Sequence, residues 1–225
     1  MANLSFAVFY IFADMPKNNM MKTKCSLILG SLLFISVSLF AQDKTMKAEK
    51  PAKAADAQPS EKEMQAWMAY MTPGEMHKMM LSANGEWHEE LTFWMTMGGP
   101  ATKAESSCTN SMIFGDRYQE SYHKGEMMGM PFEGKSTLGY DNSRKVFQST
   151  WIDNMGTGIM YLEGKWDEKK HAINFTGVAV DPNTGKTEKV REIFTFVDEK
   201  TQTMDMFSTK EGKEYKSMEI KFTKR

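Results

Sequence analysis

Four histidines, at positions 77, 88, 123 and 171, are the first side chains to examine for chemistry. A zinc site written into local sequence would place two of them at a short fixed spacing, such as i and i+4 on one helix, and no pair has it. Cys108 has no recognisable catalytic partner in its vicinity, and the Gly-x-Ser-x-Gly turn of a serine nucleophile is absent. Glu89 and Glu90 are adjacent in a segment of period two, so they project to opposite faces and cannot share acid–base work. No cofactor is expected, no metal ligand set is named, and the residues favour a binding protein over an enzyme.

Methionine offers a different chemistry. The chain holds 22, in groups that include Met64, Met68 and Met71, then Met76, Met79 and Met80, and the run Met127-Met128-Gly129-Met130. Thioether sulfur suits copper(I), which makes a Met-dependent copper binder an alternative function. Helical spacing and the adaptability of the side chain assign most of these residues to packing instead.

The mixed polar and aromatic positions give the leading candidates. Trp151 and Asp153 share one strand face, Arg191 and Glu192 lie on another strand, and Glu89 alternates with Trp87, Leu91 and Phe93. Turned inward, Glu89, Trp151, Asp153, Arg191 and Glu192, with Tyr140 or Tyr161, would line a small-ligand cavity of about 300 Å³ or more. Burying so many polar groups in a dry core would cost several kcal/mol unless each found a partner, and a hydrated cavity relieves that cost. The competing reading makes Trp151 core and Asp153 the cap of the turn at Asn154-Gly156.

The elements that hold these residues in place are strands. After Gly85 the period shifts to two, with Trp87, Glu89, Leu91, Phe93 and Met95 on one face. Further β-like runs cover about 104–114, 116–125, 132–140, 144–153, 157–166, 171–180, 187–197, 201–209 and 214–223. Turn residues separate them, among them Asp141-Asn142-Ser143, Asp167-Glu168-Lys169, Asp198-Glu199-Lys200 and Glu211-Gly212. Strands this closely spaced, with no helix between, form an antiparallel meander, and nearly ten of them close into an up-and-down barrel because closure removes exposed edges. Upstream, residues 61–84 carry Met64, Trp67, Met68 and Met71, then a Pro73-Gly74 break and a second apolar run, which predicts two short helices.

The first quarter of the chain reads as targeting and linker. Lys22 and Lys24 precede an uncharged apolar run over residues 27–40, and Ala41 precedes the polar Gln42, the pattern of a signal peptide over residues 1–41 that starts at Met1, Met20 or Met21. Fourteen residues fall short of the ~20 that a membrane helix needs. Export, to a periplasmic or secreted location with no membrane attachment after cleavage, is the expectation. Residues 42–60, rich in Ala, Lys, Asp and Pro, read as a disordered linker, and 85–225 as the barrel domain. Residues 1–41 contain Lys17, Lys22, Lys24 and Asp14, which leaves 25 basic and 28 acidic side chains, well interspersed. That balance excludes a nucleic-acid binder, whose affinity comes from clustered cations. Cys108 is then the single cysteine, so no internal disulfide forms.

Gly85-Glu86-Trp87 resembles the Gly-x-Trp opening of lipocalin-like barrels, in which the tryptophan closes one barrel end beneath a basic residue of the last strand, here Lys224 or Arg225. Over residues 73–225 the chain resembles the uncharacterised bacterial family called domain of unknown function 1579. The carrying residues are Pro73, His77, Gly85, Trp87, Gly129-Met130-Pro131-Phe132-Glu133-Gly134, Leu138-Gly139-Tyr140-Asp141, Trp151-Ile152-Asp153-Asn154, Asp181-Pro182, Gly185, Arg191, Gly212 and Glu214-Tyr215-Lys216. The resemblance implies an all-β, lipocalin-like (calycin-type) barrel of about 8–10 strands with a short N-terminal helical segment, and it supplies no activity. The expected function is binding of an unknown small molecule, apolar or amphipathic, with an enzyme acting on its bound ligand as a further alternative.

Overall fold

The computed structural model describes residues 59–182 and 184–225; the segments expected to be a signal peptide and most of a linker lie outside the described residues. Ser60 opens helix α1 (Glu61–Met71) through a capping box, its hydroxyl accepting from the Glu63 N–H while the Glu63 carboxylate accepts from the Ser60 N–H. Helix α2 (Glu75–Ser82) follows the Pro73-Gly74 break, and the His77 Nδ1 accepts from the Gly74 N–H at 3.0 Å.

Ten antiparallel strands follow: β1 (Gly85–Trp94), β2 (Ala101–Ile113), β3 (Tyr118–Met127), β4 (Met130–Asp141), β5 (Val146–Asp153), β6 (Met160–Asp167), β7 (Ala172–Val180), β8 (Thr187–Asp198), β9 (Thr201–Lys210) and β10 (Lys213–Lys224). Each pairs with its neighbours in sequence, and β1 pairs with β10, so the sheet is a closed up-and-down barrel. The turn residues act as the sequence predicts. Asp141 Oδ1 accepts from the Ser143 and Arg144 N–H groups, Asp167 Oδ1 from those of Lys169 and Lys170, and Asp198 Oδ1 from that of Lys200. In the β9–β10 pairing the register shifts between Lys216 and Met218, a bulge at which the Ser217 hydroxyl accepts from that of Ser208 at 2.8 Å.

One barrel end is plugged by α2 and Trp87. Met80 and Trp87 are buried, and the Trp87 Nε1–H donates to the Ala83 carbonyl at 2.9 Å. Of the two basic residues expected over the indole, it is Lys224 that takes the place: its Nζ lies 5.5 Å from the ring centroid and donates to the Ser82 carbonyl at the end of α2. Gly85 turns the chain into β1 at a φ of 117°, a backbone that side chains rarely adopt.

The methionine and tryptophan face of α1 departs from the packing expected of it. Met64, Trp67, Met68 and Met71 are all exposed, whereas Met76, Met79 and Met80 of α2 pack against the core. The barrel end is already covered by α2, which leaves α1 no apolar surface to bury. Among the described residues it is fastened by hydrogen bonds at its C-terminal end, where the Asn142 amide donates to the carbonyls of Ala69, Tyr70 and Thr72.

Candidate functional site

Alternation sends one residue in two into the barrel, and the inward set is unusual in its polar members. Along β1 it is Trp87, Glu89, Leu91 and Phe93; along β8 it is Val190, Glu192, Phe194 and Phe196. Between these side chains a narrow cavity of about 180 Å³ runs from Ala83, below α2, to Gly156 and Gly158 in the loop between β5 and β6. It is smaller than the 300 Å³ expected, because Trp151, Phe175, Phe194, Phe196 and Phe222 project into the space.

Four of the predicted site residues line this cavity: Glu89, Trp151, Asp153 and Glu192. Three do not. Arg191 points outward, its guanidinium forked onto Glu214 at 3.0 and 2.8 Å and stacked over Phe207, as alternation requires once Glu192 faces in. Tyr161 is exposed on the outer face, where its hydroxyl donates to Glu163 and accepts from Gln148. Tyr140 faces the plugged end, 4.8 Å from the Phe147 ring and 5.9 Å from that of His77, outside the cavity wall. Both readings of β5 hold together: Trp151 borders the cavity, and Asp153 accepts from the Trp151 Nε1–H at 2.7 Å while capping the turn through the Met155 N–H at 2.9 Å. Gly134 makes room for this indole, since a Cβ there would meet Trp151 Cζ2 at 2.5 Å.

Glu192 has no hydrogen-bond or ion-pair partner among the described residues, and its neighbours across the sheet are Phe175 and Met206. It retains some accessible surface, but that surface lies in the cavity. Desolvation there pushes its carboxyl up to about 7. Among the described residues, no Lys or Arg lines the cavity.

A second group lies in the same wall. Strand register sets Cys108 beside Trp87 and His123, and Ser106 beside Glu89. The His123 ring bridges two of its members: Nδ1 is 2.8 Å from Glu89 Oε1, and Nε2 is 3.8 Å from Cys108 Sγ. The other Glu89 oxygen accepts from the Ser106 hydroxyl. A carboxylate only accepts, so it draws the ring hydrogen to Nδ1 and leaves the Nε2 lone pair toward the thiol. Burial raises the thiol's pKa, the Glu89 charge raises it further, and the Ser121 hydroxyl opposes both. The thiol therefore rests protonated, and no group of backbone N–H donors faces it, since those of its strand are engaged in the ladders. Donor type, burial and closeness suit this trio to a metal ion. Sequence reasoning missed it because its members come from three strands, and their only local trace is inward alternation.

The run Met127-Met128-Gly129-Met130 forms the β3–β4 turn. Met127 faces the cavity, its cross-strand partner Met130 packs against the same core, and Met128 is exposed at a φ of 53°, so the exposed Met128 stands apart from the other two.

Fold and site together define an antiparallel up-and-down barrel with an acidic and aromatic internal cavity. The chain matches the model of the family described as Protein of unknown function (DUF1579) over residues 72–224, and it belongs to that family. No curated protein matches it in sequence. Among solved structures, a redesigned β-barrel is similar at 12% identity and a TM-score of 0.38, over 68% of this chain and 99% of that one.

Proposed function

We propose that the protein binds a small amphipathic molecule inside the barrel, an aromatic or short-chain organic amine being the favoured class. The observation that carries this reading is Glu192, an unpartnered carboxyl facing an aromatic cavity whose wall has no cation to neutralise it. An ionised carboxylate alone in such surroundings is costly. An ammonium group recovers that cost by pairing with it, and the rings of Trp151, Phe194 and Phe196 favour the same cation through their faces. Anionic ligands such as fatty acids meet Glu89, Asp153 and Glu192 with no compensating charge. The volume suits a ligand of about a phenyl ring and a two-carbon tail.

The test is calorimetric titration of the full chain with 2-phenylethylamine, 2-phenylethanol and phenylacetate at pH 8. The amine should bind at least about tenfold more tightly than the alcohol, and phenylacetate should not bind. Glu192→Gln should erase the amine's advantage while leaving 2-phenylethanol binding unchanged. The advantage should also shrink below pH 7 as Glu192 takes up its proton; Glu89, Cys108, His123 and Asp153 are the other titratable groups on the wall. Failure of all three probes would remove the binding reading altogether, and preference for phenylacetate would reverse the class.

Export belongs to the same proposal and rests on the sequence over residues 22–41. Intact-mass measurement of the protein made in a bacterial host should give an N-terminus near Gln42; an uncleaved chain would refute export.

A further inference from the structure

We propose that Glu89, Cys108 and His123 form a site for a borderline divalent metal ion of the zinc type, with its free coordination position open to the cavity. One ligand atom from each of the three residues can be chosen so that all lie within 4.8 Å of one another, a spread that small side-chain adjustments close to bonding distance. Thiolate, imidazole and carboxylate are the donors that such an ion accepts, and a set of three protein ligands leaves the fourth position for water or a bound molecule.

The site is built rather than accidental. Its residues stand on β1, β2 and β3, three consecutive strands in one continuous ladder, so their backbones are fixed relative to each other. All three are buried, at 1%, 2% and 8% exposure. The supporting shell is also in place. The Ser106 hydroxyl holds one Glu89 oxygen, and the Trp151 ring packs edge-on to His123 at 5.0 Å. On metal binding, Glu89 Oε1 exchanges its contact with His123 for the ion. As the ion binds, Cys108 loses to solvent the thiol proton that it donates to Asn110 Oδ1, and the resulting thiolate with one carboxylate balances the two positive charges, which leaves a neutral cluster in a wall where no Lys or Arg stands among the described residues. This inference does not depend on Glu192 or on the amine.

Cobalt(II), a coloured surrogate for zinc, tests it on the full chain carrying Cys25→Ser, which removes the only other thiol. The protein should develop a thiolate-to-cobalt charge-transfer band in the near ultraviolet that saturates at one equivalent and is displaced by zinc. Cys108→Ser should abolish the band, and His123→Ala should weaken cobalt binding at least about tenfold. X-ray absorption of the zinc-loaded Cys25→Ser protein provides a readout independent of further substitution, with one sulfur and one imidazole expected in the coordination shell. Absence of the band, its survival in a folded Cys108→Ser protein, or a sulfur-free shell would overturn the site.

Discussion

Glu192 also makes the fold sensitive to pH. In the unfolded chain a glutamate gives up its proton near 4.5, and in the barrel Glu192 keeps it to about 7. Between those values the folded state binds the additional proton, so its stability is fully present at low pH, falls as pH rises through the window, and levels off above it. The span corresponds to about 3 kcal/mol. Glu192→Gln should therefore gain stability of that order at pH 8 and little at pH 4.5. Urea unfolding of both proteins at the two pH values checks this, with the comparison cancelling the other titrating groups. An equal effect at both values would mean that Glu192 is not held neutral by the barrel. The residue was legible in the sequence only in part: that Arg191 and Glu192 face opposite ways follows from period two, but which one enters depends on Val190, Phe194 and Phe196 outweighing Ile193 and Val197 on the other face.

Elements were far more legible than sites. Asp-led turns and alternating strands announce the meander because each signal acts over a few residues, and the Asx contacts at Asp141, Asp167 and Asp198 are local chemistry. Gly134 is the opposite case: its lack of a Cβ matters only because β5 brings Trp151 against it, a partner 17 positions away that no local pattern names. Glu89, Cys108 and His123 are hidden for the same reason, since they meet through the register of three strands. Helix α1 shows the converse. Its apolar periodicity is genuine, and its exposure follows from α2 having taken the surface it would have covered.

At the scale of the whole molecule the defining feature is the seam between β1 and β10. Nine pairings join strands that follow one another in the chain, and the tenth joins Trp87 to Lys224 across the entire domain. The nine can form as a zipper of hairpins, each closing a short loop, whereas the seam must close the longest loop and waits for the rest. Refolding should then show two phases, an early gain of β-sheet signal and a later burial of Trp87, read by far-ultraviolet circular dichroism and tryptophan fluorescence. Phe222→Ala on β10 should slow the second phase and spare the first; a single phase common to both probes would contradict an ordered closure. In that order of closure the chain is an open ribbon with two bare edges and an unwalled interior until the seam forms, so the cavity would come into existence only at the last step. A molecule bound as proposed above would either be captured as the ribbon closes or enter afterwards, and the timing of folding would then bear on what the barrel takes up.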